Sequence, residues 1–230
     1  MAKLLNVFPL SIFHDRLGLS DSYRQALVAQ VQQMEQQSRS SKPAHSAWLG
    51  DTSGHEFLFE NPAFGEMYRA IHRKIVDYVE ALGMQSSLLK FYFQRSWATV
   101  TRHGEHINQH CHEQSNISVA YYLRKPAGTG GINFITDAHP NEFARGIFTP
   151  SKESLGFIAR PSIATWNTVY LDPGEDDIVI FPSKTMHATA TNEAGAERIS
   201  ISADITTVLR NTTGHETMMP DIRFWRCFEE

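Results

Sequence analysis

The sequence predicts a mainly β fold, a sandwich or barrel, with helices at its N-terminal end. Two patterns point to it. From residue 88 onward, six short segments (88–101, 117–123, 131–136, 163–171, 178–182 and 197–208) are rich in Val, Ile, Phe, Tyr and Thr. Gly, Pro, Asn or Asp separates them, as in antiparallel β domains. Before them stand two stretches with apolar residues at helical spacing.

Taken in order, residues 4–13 (LLNVFPLSIF) read as a short strand or extended arm. Ser20 or Asp21 can cap a helix over 21–37, with Tyr23, Leu27, Val31 and Met34 on one face. The polar stretch QQSRSSKPAHS is a loop. A second helix spans 61–82, with Asn61 as N-cap, Pro62 at the first helical position and Gly83 as C-terminal stop. Its stripe of Phe64, Met67, Tyr68, Ile71, Ile75, Tyr78, Val79 and Leu82 is a core-packing face. Residues 137–162 read as a long loop or loose hairpin, and long loops on a β scaffold often cover a site. Trp97, Trp166 and Phe181 are assigned to the core. No repeat, low-complexity tract or dividing linker interrupts the chain. One domain over 1–230 follows, with a β core at about 88–208 and a helical part at 1–87.

Composition excludes several classes. Of the 230 residues, 41% are hydrophobic, enough for a real core, and 20% are charged, too few for a disordered chain. A net charge of -4 argues against general nucleic-acid binding. The start, MAKLLNVFP, is too short and broken for a signal peptide, and no run approaches the roughly 20 apolar residues of a membrane span. Cys111 and Cys227 are too few for a disulfide scaffold and read as thiols of a reducing cytoplasm.

Eleven histidines are many for this length. His110 and His112 are two apart, so an extended chain would present both imidazoles on one face. Imidazole is the commonest metal-binding side chain at neutral pH. His187, after the strand-like IVIFPSKTMH, can supply a third ligand. Asp137 is the nearby carboxylate that could replace His112. Asn108 shares the alternating face of His110 and can orient a ligand from behind. His103 and His106 lie in a Gly-containing loop and read as solvated.

In AERISISADI, alternation puts Arg198, Ser200 and Ser202 on one face, with Ile199 and Ile201 on the other. An inward arginine is costly to bury unless it meets an anion, and its planar fork suits a carboxylate. A metal site beside an arginine-and-serine clamp is what an oxoacid co-substrate needs.

The order is His-x-His, a distant His, then Arg eleven residues on with Ser two later. It resembles the Fe(II)/2-oxoglutarate dioxygenases, and more narrowly a bacterial and phage family of 2-oxoglutarate/iron oxygenases. The matching stretches are SWATVTRHGEHINQHCHEQSNISVAYYL, GTGGINFITDAHP and LDPGEDDIVIFPSKTMHATATNEAGAERISISADI. VFPLSIF and SAWLGDTSGHEF also look familial. The resemblance implies a double-stranded β-helix (a jelly roll, cupin-like), Fe(II) on His110, His112 and His187, and 2-oxoglutarate on Arg198, Ser200 and Tyr122. It implies oxidation, by default hydroxylation, of a C–H bond in a small-molecule or amino-acid-like substrate. His112 stands where most of the superfamily has Asp or Glu, whereas the narrower family has His. Three neutral ligands leave more positive charge on the metal and admit zinc or copper more readily.

Two other readings stay open. One is a three-His cupin oxygenase that binds substrate directly and uses Arg198 for the substrate's carboxylate. The other is a non-catalytic jelly-roll module with a closed structural metal. The tail DIRFWRCFEE can pack back on the domain or serve a homodimer contact.

Overall fold

A computed structural model describes residues 3–38, 43–212 and 222–227. Among these described residues, nine strands form two antiparallel sheets. In chain order they are β1 (Phe13–Arg16), β2 (Trp48–Leu49), β3 (Leu89–Thr101), β4 (Ile117–Arg124), β5 (Ile132–Ile135), β6 (Thr168–Leu171), β7 (Asp177–Pro182), β8 (His187–Thr189) and β9 (Arg198–Leu209). The larger sheet runs β1-β7-β4-β9-β3-β2 and the smaller β6-β5-β8. This is the predicted jelly roll, with helices α1 (Asp21–Gln37) and α2 (Gly65–Ala81) outside it.

Period-two alternation sorts each central strand into an outer face under the helices and an inner face toward the smaller sheet. On the outer face, Val119 and Tyr121 of β4, Ile178 and Ile180 of β7, and Ile199, Ile201 and Ile205 of β9 meet Leu27 and Val31 of α1 and Ile71 and Ile75 of α2 in one core. On the inner face, Tyr122, Val179 and Phe181 meet Ile132 and Phe134 of β5 in a second, smaller core.

A β-bulge between Phe93 and Arg95 decides which side chains of β3 reach the interior. Before it, Phe91 and Phe93 pack against the helix-side core. The extra residue flips the parity. Past it, Arg95, Trp97, Thr99 and Thr101 lie opposite Asp204, Ser202, Ser200 and Arg198 of β9.

Helix ends follow local chemistry. Ser20 caps α1 by accepting from Tyr23 N at 3.3 Å. Asn61 accepts from Ala63 N at 3.0 Å, but the helix predicted from 61 opens as a 3-10 turn over Pro62–Phe64 and becomes α-helical at Gly65. Gly83 adopts φ +84°, as a C-terminal glycine stop requires.

Of the two readings of 4–13, the structure has the arm: it is no strand until Phe13, and Leu4, Leu5, Val7 and Phe8 are exposed. Three expectations need correction. The strand expected over 163–171 begins only at Thr168. Trp166, assigned to the core, is 43% exposed because it precedes that strand in a turn. The loop 137–162 contains one helical turn, α3 (Pro150–Glu153), seeded by Pro at its start. In the tail, Ile222–Phe224 is a 3-10 turn and Trp225 is exposed; 213–221 and 228–230 lie outside the described residues.

Candidate metal centre and anion pocket

The loop between β3 and β4 runs extended beside β8, like an additional short strand. His110 and His187 exchange both backbone hydrogen bonds at 2.9 Å, Thr189 N donates to Ile107 O at 3.1 Å, and His112 N donates to Ser183 O at 2.9 Å. In this extended pairing, alternation turns His110 and His112 to the same side. The His110 and His112 rings stack with centroids 5.1 Å apart, and that of His187 lies 4.3 Å from His110 and 5.3 Å from His112. One nitrogen from each comes within 4.8 Å of the other two, the one such cluster of metal-capable side chains among the described residues. Asp137 is exposed and outside it.

The hydrogen bonds fix the tautomers. His110 Nδ1 lies 2.8 Å from the carbonyl of Asn108, and His187 Nδ1 lies 2.8 Å from that of Thr185. A carbonyl only accepts, so both Nδ1 atoms carry the proton. His112 Nδ1 bonds the carboxylate of Asp204. All three Nε2 lone pairs are left for a ligand. His112 and His187 are 8% and 7% exposed. Burial, then the neighbouring His110, lowers His187 to a pKa of about 4, and burial lowers His110 as well. Both rings are therefore neutral near pH 7, the form that binds a metal.

Asn108 thus touches His110 through its backbone, while its side chain bonds His106 Nε2 at 3.1 Å. His103 is exposed, but His106, expected to be solvated, is half-buried on the cavity wall. Trp97 and Phe181 were expected only as core. Both also border the histidines, Trp97 tilted over His112 at 5.7 Å and Phe181 edge-on to His187 at 4.8 Å.

The histidines open onto a cavity of about 420 Å³ that runs to Tyr122, Arg198, Ser200 and Ser202. Arg198 is 1% exposed. Its Nη1 donates to the carbonyls of Thr129 at 2.8 Å and Gly130 at 2.9 Å, and its Nη2 to Thr101 Oγ1 at 3.3 Å. Among the described residues these bonds include no carboxylate. Burial lowers its pKa, and the nearby phenols of Tyr122 and Tyr170 oppose that. A buried guanidinium held by neutral acceptors beside a cavity can pair with an anion there. Tyr122 lies opposite Ser200 across the β4–β9 ladder and faces inward; Tyr121 points the other way and donates to Asp176 at 3.0 Å.

Asp204 is the residue the sequence reading missed. It is 0% exposed and also accepts from Gln114 Nε2 at 3.3 Å and Ser118 Oγ at 3.4 Å. The alternation that linked Arg198, Ser200 and Ser202 reaches Asp204 at its next step, so the signal was present.

Residues 95–204 match the model of a family described as "Putative 2OG-Fe(II) oxygenase". No curated protein matches the sequence. Among solved structures, the chain is similar to the non-heme α-ketoglutarate-dependent epimerase SnoN from nogalamycin biosynthesis (13% identity, 90% of this chain and 83% of that one, TM-score 0.56). It is also similar to HygX from Streptomyces hygroscopicus, solved with nickel and 2-oxoglutarate bound (9%, 86% and 83%, TM-score 0.53). A third is a Pseudomonas putida prolyl-4-hydroxylase (14%, 86% and 92%, TM-score 0.50). At these identities the likeness establishes the double-stranded β-helix fold.

Proposed function

We infer that this chain is a 2OG-Fe(II) oxygenase in which His110, His112 and His187 hold Fe(II) and Arg198, Ser200 and Tyr122 receive 2-oxoglutarate. The observation that carries this reading is the pairing of three freed Nε2 atoms with a buried, carboxylate-free guanidinium on one cavity. The donor set fits the group, since imidazole suits iron and a guanidinium fork suits the distal carboxylate of an oxoacid. When bound, Fe(II) and 2-oxoglutarate supply oxidation of a substrate C–H bond by O2, with succinate and CO2 released.

The chain's own residues do the rest. The Nδ1 bonds aim the imidazoles. Arg198 and Ser200 orient the co-substrate from the far wall. Trp97 and Phe181 keep water from the histidines. A cavity of this size suits a small or amino-acid-like substrate, and hydroxylation is the default outcome. The helices and the larger sheet share one core, which supports reading the whole chain as one domain. Among the described residues no helix is long and apolar enough to cross a membrane. We place the protein in the cytoplasm because a reducing medium keeps the Cys111 thiol, next to two ligands, out of unwanted bridges. The exposed Trp225 supports a homodimer contact through the tail.

The test uses anaerobic protein loaded with Fe(II). Adding 2-oxoglutarate should give a metal-to-ligand charge-transfer absorbance, and air should then release succinate. Iron binding without any 2-oxoglutarate response at millimolar concentration would instead favour a three-His oxygenase in which Arg198 meets the substrate.

A further inference from the structure

Asp204 is a carboxylate at 0% exposure without a Lys or Arg partner among the described residues. Its partners are His112 Nδ1, the Gln114 amide and the Ser118 hydroxyl, which itself leans on Ser183 Oγ at 2.9 Å. Arg95 lies opposite it across the β3–β9 ladder, yet its guanidinium turns away to Asp51 at 2.9 Å and Glu56 at 3.5 Å. Dipoles alone are a poor solvent for a fully buried charge, which normally sits beside a cation or coordinates one. The nearest place for such a cation is the far side of the His112 ring. The other two rings offer no such charge, because their Nδ1 protons go to the neutral carbonyls of Asn108 and Thr185. Three imidazoles bring a metal no negative charge, whereas the usual open iron site brings one carboxylate among its three ligands.

We propose that Asp204 is the charge partner of the metal, acting through His112, so that the three-histidine site carries the net charge of a two-histidine, one-carboxylate site. The carboxylate that would otherwise be a ligand is set one hydrogen bond further out. Asp204 is thus a positioning residue with an electronic effect. It holds the His112 Nε2 toward the metal and offsets part of the divalent charge. This rests on the metal reading above.

The experiment compares Asp and Asn at position 204 in two backgrounds, wild type and His112→Asp, with Co(II) alone as the probe. Asn keeps the shape and can still accept from His112 Nδ1; its NH2 then faces the Gln114 amide, which can turn over to present its oxygen, so the main change is loss of the charge. In wild type, Asp204→Asn should weaken Co(II) binding by about 10- to 100-fold, the usual effect of losing such an outer partner. It should also raise the Fe(III)/Fe(II) midpoint potential. With Asp at 112 the ligand itself carries the charge and crowds Asp204, so Asp204→Asn should leave Co(II) affinity unchanged or improve it.

An equal loss in both backgrounds, an unchanged potential, or unfolding of Asp204→Asn in both would assign Asp204 to structure and overturn the proposal. A wild type that binds no Co(II) or Fe(II) defeats the metal reading and this one with it. A wild type that binds, with Asp204→Asn unaffected, defeats this one alone.

Discussion

His187 and Arg198 bracket the cavity, and each side chain has one chemical task that a substitution can isolate. His110→Ala, His112→Ala and His187→Ala should each lower iron affinity tenfold or more, while far-UV circular dichroism stays native, since neither core contains these rings. Full iron retention in any one variant would remove that histidine from the ligand set. Arg198→Ala should weaken 2-oxoglutarate binding by about 2–5 kcal/mol, the range for truncating one partner of a buried charge pair. Arg198→Lys keeps the charge and loses the fork, so it should fall between the two. Iron content should survive both changes, because Arg198 bonds carbonyls and a hydroxyl and is not in the histidine cluster. At this scale much was legible. A two-residue step puts two side chains on one face wherever the chain is extended, and the loop at His110 and His112 is extended against β8. Asp204 escaped because a carboxylate in a strand reads as a solvated face unless its neighbours are known. Its burial depends on β3 and β4, both distant in sequence.

The turn between β4 and β5 supplies the carbonyls that grip Arg198, and two glycines make it. Gly130 sits at φ +76°, where an added Cβ would also come within 2.9 Å of the carbonyls of Ala190 and Thr191. Gly131 has no room at all, its Cβ falling 2.1 Å from Leu171 O on β6. Gly130→Ala should therefore cost about 1–3 kcal/mol in urea unfolding. It should also weaken 2-oxoglutarate binding, because the strain falls on the carbonyls holding the guanidinium. Gly128→Ala is the control. It shares a positive φ of +78°, but its nearest neighbour is the Ala194 Cβ at 3.7 Å, and it holds no bond to Arg198. If both variants weakened the co-substrate equally, the turn's close approach would not be what positions Arg198. Elements differed in legibility for physical reasons. The striped helices and the long strands carry a period over many residues. The bulge after Phe93 is one inserted residue without a side-chain signature, although it sets what β3 shows the cavity. Strand β8, three residues long, is too short to show a period, and only its pairing with β5 and the His110 loop makes it one.

Across the whole molecule, the larger sheet is covered by helices on one face and by the smaller sheet on the other. Both cores are built of apolar side chains, and in the inner one Phe181 rests edge-on against His187. The metal-free protein should therefore be folded, with loading adding stability only by mass action on a formed site. Free metal at 100 times its dissociation constant adds about 2.7 kcal/mol. For a chain of 230 residues, each kcal/mol moves the midpoint by about 2–4 °C. Loading should thus raise Tm by roughly 5–10 °C with unchanged far-UV circular dichroism. A second increment should follow when 2-oxoglutarate is added to the loaded protein. It should shrink or vanish in Arg198→Ala while the metal increment stays. On the proposed reading the two ligands would meet different walls of one cavity, His187 on β8 of the smaller sheet and Arg198 on β9 of the larger. Occupying both ties the sheets together at their open end. The size of the second increment is the measure of that coupling, read by differential scanning calorimetry at fixed ligand excess. A metal-free chain that lacked a cooperative transition would refute this account, because the metal would then be completing the core and not merely binding to it.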